Sequence, residues 1–135
     1  PLSDRVSGRV TALYRDRETQ VDFLTSKRLF ISPAVTFELG EDTRLTLLAS
    51  YQDDDLENQT TGFLPAYGTQ LPNPNGRVPV GRNLGETGVN FFKREQWSAG
   101  YDFSHQFNDN FSLQQNLKYF DVKVDSRAIY GTGLL

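Results

Sequence analysis

The stretch that decides the fold runs from Arg94 to Tyr119 and reads REQWSAGYDFSHQFNDNFSLQQNLKY. Along its first half, apolar and aromatic residues occupy alternate positions, namely Trp97, Ala99, Tyr101, Phe103 and Phe107. The positions between them are small or polar, namely Gln96, Ser98, Gly100, Asp102, Ser104 and Gln106. A period of two is typical of a β-strand whose two faces meet different surroundings. Asn108-Asp109-Asn110 consists of turn-forming residues, so the stretch predicts an antiparallel hairpin.

The same alternation occurs in three other segments, and the sequence therefore predicts five strands. They lie at about Arg5 to Arg15, Arg28 to Leu39, Arg44 to Gln52, Arg94 to Phe107 and Phe111 to Val122. His105 and Gln115 fall on otherwise apolar faces. Pro33 lies inside the second strand, and because proline donates no ladder hydrogen bond, we expect a bulge or local gap there.

The connections between these strands alternate in length. Short turns are predicted at Gly40 to Thr43 and Asn108 to Asn110, and long loops at about Asp16 to Lys27 and Asp53 to Lys93. A loop of about forty residues is unusual in a compact soluble domain and is usually functional. Short turns at one end and long loops at the other are typical of transmembrane β-barrels.

Composition and residue placement favour the same class. Aromatic residues make up 13% of the chain and hydrophobic residues 37%, and no apolar run is long enough for a transmembrane helix. Aromatic residues lie near the predicted strand ends, as in the interfacial girdles of barrels: Tyr14, Tyr51, Trp97 and Tyr119 at the long-loop ends, and Phe37, Phe107 and Phe111 at the turn ends. A soluble β-sheet module that binds ligands and a passive outer-membrane channel remain alternatives.

The charge and the cysteine content exclude several functions. The net charge of −3 argues against a nucleic-acid binder, and the lack of cysteine removes disulfides and thiolate chemistry. Five strands cannot close a barrel, and an open edge in hydrocarbon leaves backbone groups unsatisfied. Residues 1–135 are therefore expected to be part of a larger barrel, with the remaining strands absent.

Several motifs resemble one family, the TonB-dependent siderophore receptors, and within it the ferrichrome-receptor-like group. They are ALYRDRETQVDF, FISPAVTFELGEDTRLTLLASYQDD, GFLPAYGTQLPNPNGRVP, REQWSAGYDFSHQFNDNFSLQQNLKY and IYGTG. The resemblance covers nearly the whole chain, and the order and spacing of the motifs make it specific.

The resemblance implies an all-β, antiparallel barrel of about 22 strands, closed by a plug domain that this chain does not include. Such a receptor lies in the outer membrane of a Gram-negative bacterium, in contact with its lipid. It binds a ferric siderophore, here expected to be of hydroxamate type, and imports it with energy supplied by TonB through the plug. The resemblance implies no enzymatic activity and no cofactor.

Ligand contacts carry over only where positions match the family. Phe63 stands at the aromatic before Leu-Pro, and Tyr130 at the first residue of a Tyr-Gly-Tyr pair. Thr61 and Thr132 replace two further pocket aromatics, which indicates a siderophore other than ferrichrome. Tyr67 lies in the same loop as Phe63 and is a third candidate.

Charged residues on and near the strands give no catalytic or metal site. Asp53, Asp54, Asp55 and Glu57 match no cation-binding spacing and are read as a solvated loop stem. Asp102 and Glu38 lie on the predicted lumen faces of their strands and are candidates for contact with the plug. Arg9, Arg15 and Arg28 also lie on lumen faces, where plug carboxylates would be their partners.

Overall fold

The computed structural model describes residues 3–60 and 64–131 and is all-β in this part of the chain. Its strands are β1 (Val6–Glu18), β2 (Thr25–Glu38), β3 (Thr43–Glu57), β4 (Phe91–Asn108) and β5 (Phe111–Arg127). They form one antiparallel sheet in the order β1-β2-β3-β4-β5, which confirms the five predicted strands. No helix in the described residues is long and apolar enough to cross a membrane.

The strands extend further into the long loops than the alternation predicts. β3 continues to Glu57, β4 begins at Phe91 and β5 continues to Arg127. These added residues include many charged side chains on both faces, so they show no apolar period. β2 continues through Pro33 without interruption, so the predicted local gap is wrong and the alternative of a bulge stays a prediction.

The two short turns lie where the sequence predicts them. Between β2 and β3, the Leu39 amide donates to the Thr43 carbonyl over 2.9 Å. Between β4 and β5, the side-chain oxygen of Asn108 accepts from the Asn110 amide over 3.0 Å, which is the asparagine turn that favours this residue type. The connections at the other strand ends are residues 19–24 and 58–90.

The described residues divide into two compact units. The strand unit comprises residues 3–14, 29–53 and 95–123, and the loop unit comprises residues 15–28, 54–60, 64–94 and 124–131. The strand unit contains both short turns, and the loop unit contains both long connections.

The burial pattern is the reverse of that of a water-soluble domain. No hydrophobic side chain among the described residues is buried, and the buried residues of this part are Gly68 and the polar residues Ser26, Asp54, Asn90 and Ser98. In the strand unit, one face carries exposed apolar side chains, among them Val10, Leu29, Ile31, Leu47, Trp97 and Leu117. Exposed apolar area on this scale marks a surface that another apolar medium covers. We call this the apolar face, and the opposite side of the sheet the polar face.

Polar side chains connect neighbouring strands across the polar face of the strand unit. The hydroxyls of Ser50 and Ser98 lie 2.7 Å apart, and those of Thr36 and Thr46 lie 2.9 Å apart. Glu38 accepts from Arg44 over 2.8 Å near the turn. A polar, hydrogen-bonded inner face and an apolar outer face are what a membrane barrel requires.

Aromatic side chains cluster near both ends of the strand unit. The rings of Trp97 and Tyr119 lie 5.3 Å apart. Near the β4–β5 turn, Phe107 lies 5.3 Å from Phe111 and packs edge-on against His105 at 4.4 Å. His105 also shares a 2.8 Å hydrogen bond with Thr43, so this histidine lies in the aromatic cluster at the turn end.

Candidate functional site

The two long connections are joined by hydrogen bonds to backbone groups. The Asp22 amide donates to the Gly81 carbonyl over 2.7 Å, and the Asn83 side chain donates to the Asp22 carbonyl over 3.1 Å. Asn58, at the start of the longer connection, donates from its side chain to the Phe23 carbonyl over 2.9 Å. These bonds join residues 19–24 to residues 58–60 and 64–90, and we call these described residues the loop platform.

Two residues of the loop platform adopt a left-handed backbone conformation. Phe23 has φ of 64° and Asn58 has φ of 58°. Asparagine tolerates this region, but a bulky aromatic residue does so only where its surroundings compel it. The Asn58 bond therefore fixes the backbone at Phe23, whose ring is exposed. Phe23 is the last residue of the ALYRDRETQVDF motif, but it is not among the ligand residues that the sequence predicts.

Asn90 connects the end of the loop platform to the segment that follows β5 through side-chain hydrogen bonds. It is only 2% exposed, and its side-chain oxygen accepts from the Ile129 amide over 2.7 Å. Its side-chain nitrogen donates to the carbonyls of Ile129 and Gln59, over 2.9 and 3.1 Å. Beside it, Gly85 and Tyr130 form an antiparallel bridge. Asn90 thus determines where Tyr130 lies.

Replacing Asn90 by alanine should release this connection. Three backbone groups would lose their partners, at a cost of about 1–3 kcal/mol for a buried unsatisfied group. We expect faster hydrogen exchange in residues 58–90 and 128–131 of the full-length protein, measured by mass spectrometry. Asn75→Ala, at an exposed position in the same connection, is the control. Equal exchange in both variants would show that Asn90 does not hold the platform.

Tyr67 lies in a compact turn of the loop platform and is exposed. The Gly68 amide donates to the Leu71 carbonyl, and the Val78 amide to the Gly68 carbonyl, each over 2.8 Å. Gly68 has φ of 85°, a conformation that favours glycine. The Tyr67 ring is therefore exposed on a turn whose next residue, Gly68, is hydrogen-bonded through both its amide and its carbonyl.

Two of the three predicted ligand residues lie in the described part of the chain. Tyr67 and Tyr130 both lie in the loop unit, on hydrogen-bonded backbone, and both are exposed. Phe63 lies outside the described residues. Aromatic faces and hydrogen-bond donors suit a bulky chelate whose metal is already fully coordinated. In the described part of the chain, no group of three or more His, Cys, Asp or Glu could hold a metal ion.

Asp54 corrects the interpretation of the acidic run as a solvated loop stem. The residue is 2% exposed, and its carboxylate lies between two arginines. Arg28 donates from Nε to Oδ1, and Arg94 donates to Oδ2 from Nη2 and from Nε, the latter over 3.0 Å. The carboxylate joins β2, β3 and β4 next to the long connection. Arg28 thus has a partner within the chain.

Comparison with known proteins places these features in context. The chain is 36% identical over 129 residues, 95% of its length, to the ferrichrome outer membrane transporter and phage receptor of Escherichia coli K12. It is 31% identical over 137 residues to the ferrioxamine B receptor of Salmonella typhimurium LT2. Among solved structures, the open form of the ferric-catecholate import receptor of E. coli K12 superposes with a TM-score of 0.79 at 21% identity.

That structural match covers 96% of this chain and 22% of the solved one, and at this identity it shows the fold alone. The chain spans less than a fifth of the length of the two curated relatives, 17% and 19%. No family model matches it.

Proposed function

Since this chain belongs to the TonB-dependent siderophore receptors as a segment of their outer-membrane β-barrel, we propose that the receptor containing it binds and imports a ferric siderophore of hydroxamate type. The observation that carries this proposal is the loop platform with Tyr130 fastened beside it through Asn90. The sequence match to a ferrichrome transporter covers 95% of the chain that contains this arrangement.

The proposal gives each part of the segment a role. Phe63, Tyr67 and Tyr130 offer aromatic faces to the chelate, and platform amides offer hydrogen bonds to its oxygen atoms. Iron is part of the substrate and needs no protein ligand. The apolar face contacts outer-membrane lipid, and the polar face lines a lumen occupied by a plug domain. TonB, acting through that plug, supplies the energy for passage.

Substitution of the aromatic candidates tests this proposal. Phe63→Ala and Tyr130→Ala should each weaken binding of a ferric hydroxamate by about 1–3 kcal/mol, the cost of truncating a central contact. Tyr67→Ala should also weaken binding of the ferric hydroxamate. Binding is measured by fluorescence titration of the purified full-length receptor with ferrichrome and with ferrioxamine B.

Tyr14→Ala is the matched control, because this exposed tyrosine lies on the apolar face of β1. It should leave affinity unchanged. Wild-type affinity in all three candidate variants would remove the aromatic residues from the site. Failure of the wild-type receptor to bind any ferric hydroxamate, together with open conductance in planar bilayers, would favour a passive channel instead.

A further inference from the structure

A row of charged side chains crosses four strands of the loop unit on the polar face. Arg15 of β1 donates to the Ser26 hydroxyl of β2 over 3.3 Å. Two positions further along β2, Arg28 binds Asp54 of β3, and Asp54 in turn binds Arg94 of β4. Residues two apart in a strand share a face, so these contacts form one continuous row. We call it the arginine row.

The charge that the arginine row presents is positive. Asp54 is its acidic member, and the side chain of Asp54 is only 1% exposed. The side chains of Arg28 and Arg94 remain 34% and 31% exposed. Arg15 donates to no carboxylate among the ion pairs of the described residues, and its Nε is buried without a hydrogen bond. Arg17 occupies the same face of β1 and adds another cation.

The opposite face of the same strands carries no positive excess, because its two lysines are paired with carboxylates and Glu18 and Glu57 share this face. Lys27 lies 3.7 Å from Asp16, and Lys93 lies 3.2 Å from Asp55. Each residue of these pairs is the sequence neighbour of a residue in the arginine row, so the pairs lie on the opposite face. Each pair contains one cation and one anion. The excess positive charge is therefore a property of the polar face and not of the loop unit as a whole.

In the barrel of the proposed function, the polar face of each strand lines the lumen, so the arginine row is expected on the lumen wall at the level of the long connections. A positive wall in a confined, partly desolvated space attracts anions and repels cations more strongly than it would in open water. Like charges placed together are an effective means of rejecting the wrong ligand.

We propose that Arg15, Arg28 and Arg94 make this receptor select ferric hydroxamates that carry free carboxylates over those that carry an ammonium group. The inference rests on the proposed function and specifies its substrate class. Charge complementarity carries it: the guanidinium groups are partly exposed, and such groups pair with carboxylates in a directional, charge-assisted manner.

One siderophore scaffold with three charges provides the test. Ferrioxamine B ends in an ammonium group, its N-acetyl derivative is neutral, and its N-succinyl derivative ends in a carboxylate. For the full-length receptor in low salt, the iron complexes should bind in the order succinyl, acetyl, ammonium. The first and last should differ in Kd by about tenfold or more, and the difference should shrink as salt screens it.

Three substitutions test whether the arginine row produces this preference. Arg15→Gln leaves both pairs of Asp54 intact and should reduce the difference severalfold. Asp54→Asn removes the buried negative charge and should increase the difference, provided that the variant folds. Lys27→Gln removes one positive charge from the opposite face beside Arg28 and should leave the difference unchanged.

The outcomes separate the two proposals. If the receptor binds none of the three complexes, hydroxamate recognition fails and the charge preference fails with it. If it binds all three equally, hydroxamate recognition stands and the preference is overturned. If a preference exists but Arg15→Gln and Arg94→Gln leave it unchanged while lowering Tm, the row serves as a structural support or plug contact and its assignment to the ligand is wrong.

Discussion

Replacing Asp54 by alanine should lower the stability of the full-length receptor by about 3–5 kcal/mol, the cost of removing one partner from a buried ion pair. The carboxylate is buried and receives hydrogen bonds from Arg28 and Arg94. Without it, the two guanidinium groups are left close together on neighbouring sides of β3. Their partial exposure places the expected loss toward the lower end of this range. Urea unfolding of the receptor in detergent, followed by tryptophan fluorescence, measures the effect.

Asp55→Ala provides the matched control for this experiment. Asp55 is the next residue of β3, and its partner Lys93 is largely exposed, with the two charges 3.2 Å apart. Exposed pairs contribute about 0–1 kcal/mol, so this variant should unfold almost as the wild type does. Equal losses in the two variants would contradict the assignment of Asp54 as the link between the three strands.

A second large effect is expected where the apolar face meets lipid. Leu47→Arg should destabilise the inserted barrel by about 2–4 kcal/mol, as a cation on the lipid face near the bilayer midplane does. Leu47 lies in β3 between the turn at its start and the acidic residues at its end, and it is 46% exposed. Urea unfolding of the full-length receptor reconstituted in lipid vesicles measures the loss.

Leu48→Arg is an unusually close control, because the neighbouring residue has the same chemistry and is 42% exposed. It lies on the polar face, where an arginine meets water or other polar groups. The expected loss is below about 1 kcal/mol, as for most exposed substitutions. In a sheet with both leucines facing water the two losses would be equal, so equal losses would argue against the membrane assignment.

The strands could be predicted from sequence because their two faces carry side chains of opposite polarity. Leu45, Leu47 and Ala49 alternate with Thr46 and Ser50, and this alternation marks β3 without further information. This alternation stops where both faces of a strand carry polar side chains. The continuation of β3 to Glu57 and the start of β4 at Phe91 therefore had no apolar period to reveal them.

The candidate site was predictable only in part. The resemblance selected Phe63 and Tyr130, and position in the loop suggested Tyr67. Asp54 looked like one more residue of a solvated acidic run, since its partners Arg28 and Arg94 lie 26 and 40 positions away in sequence. Asn90 offered no signal either, because its partners are backbone groups of Gln59 and Ile129, which any residue type supplies.

The absence of a buried hydrophobic side chain in the described residues also bears on how stability responds to temperature. In a water-soluble sheet, unfolding transfers apolar side chains from the interior into water, and this transfer produces the large heat-capacity increment and the curved stability profile. In the proposed barrel, hydrocarbon solvates the side chains of the apolar face before unfolding, and in a micelle it still does so afterwards. The receptor should therefore have a smaller heat-capacity increment per residue and a flatter stability profile than a soluble sheet of similar length.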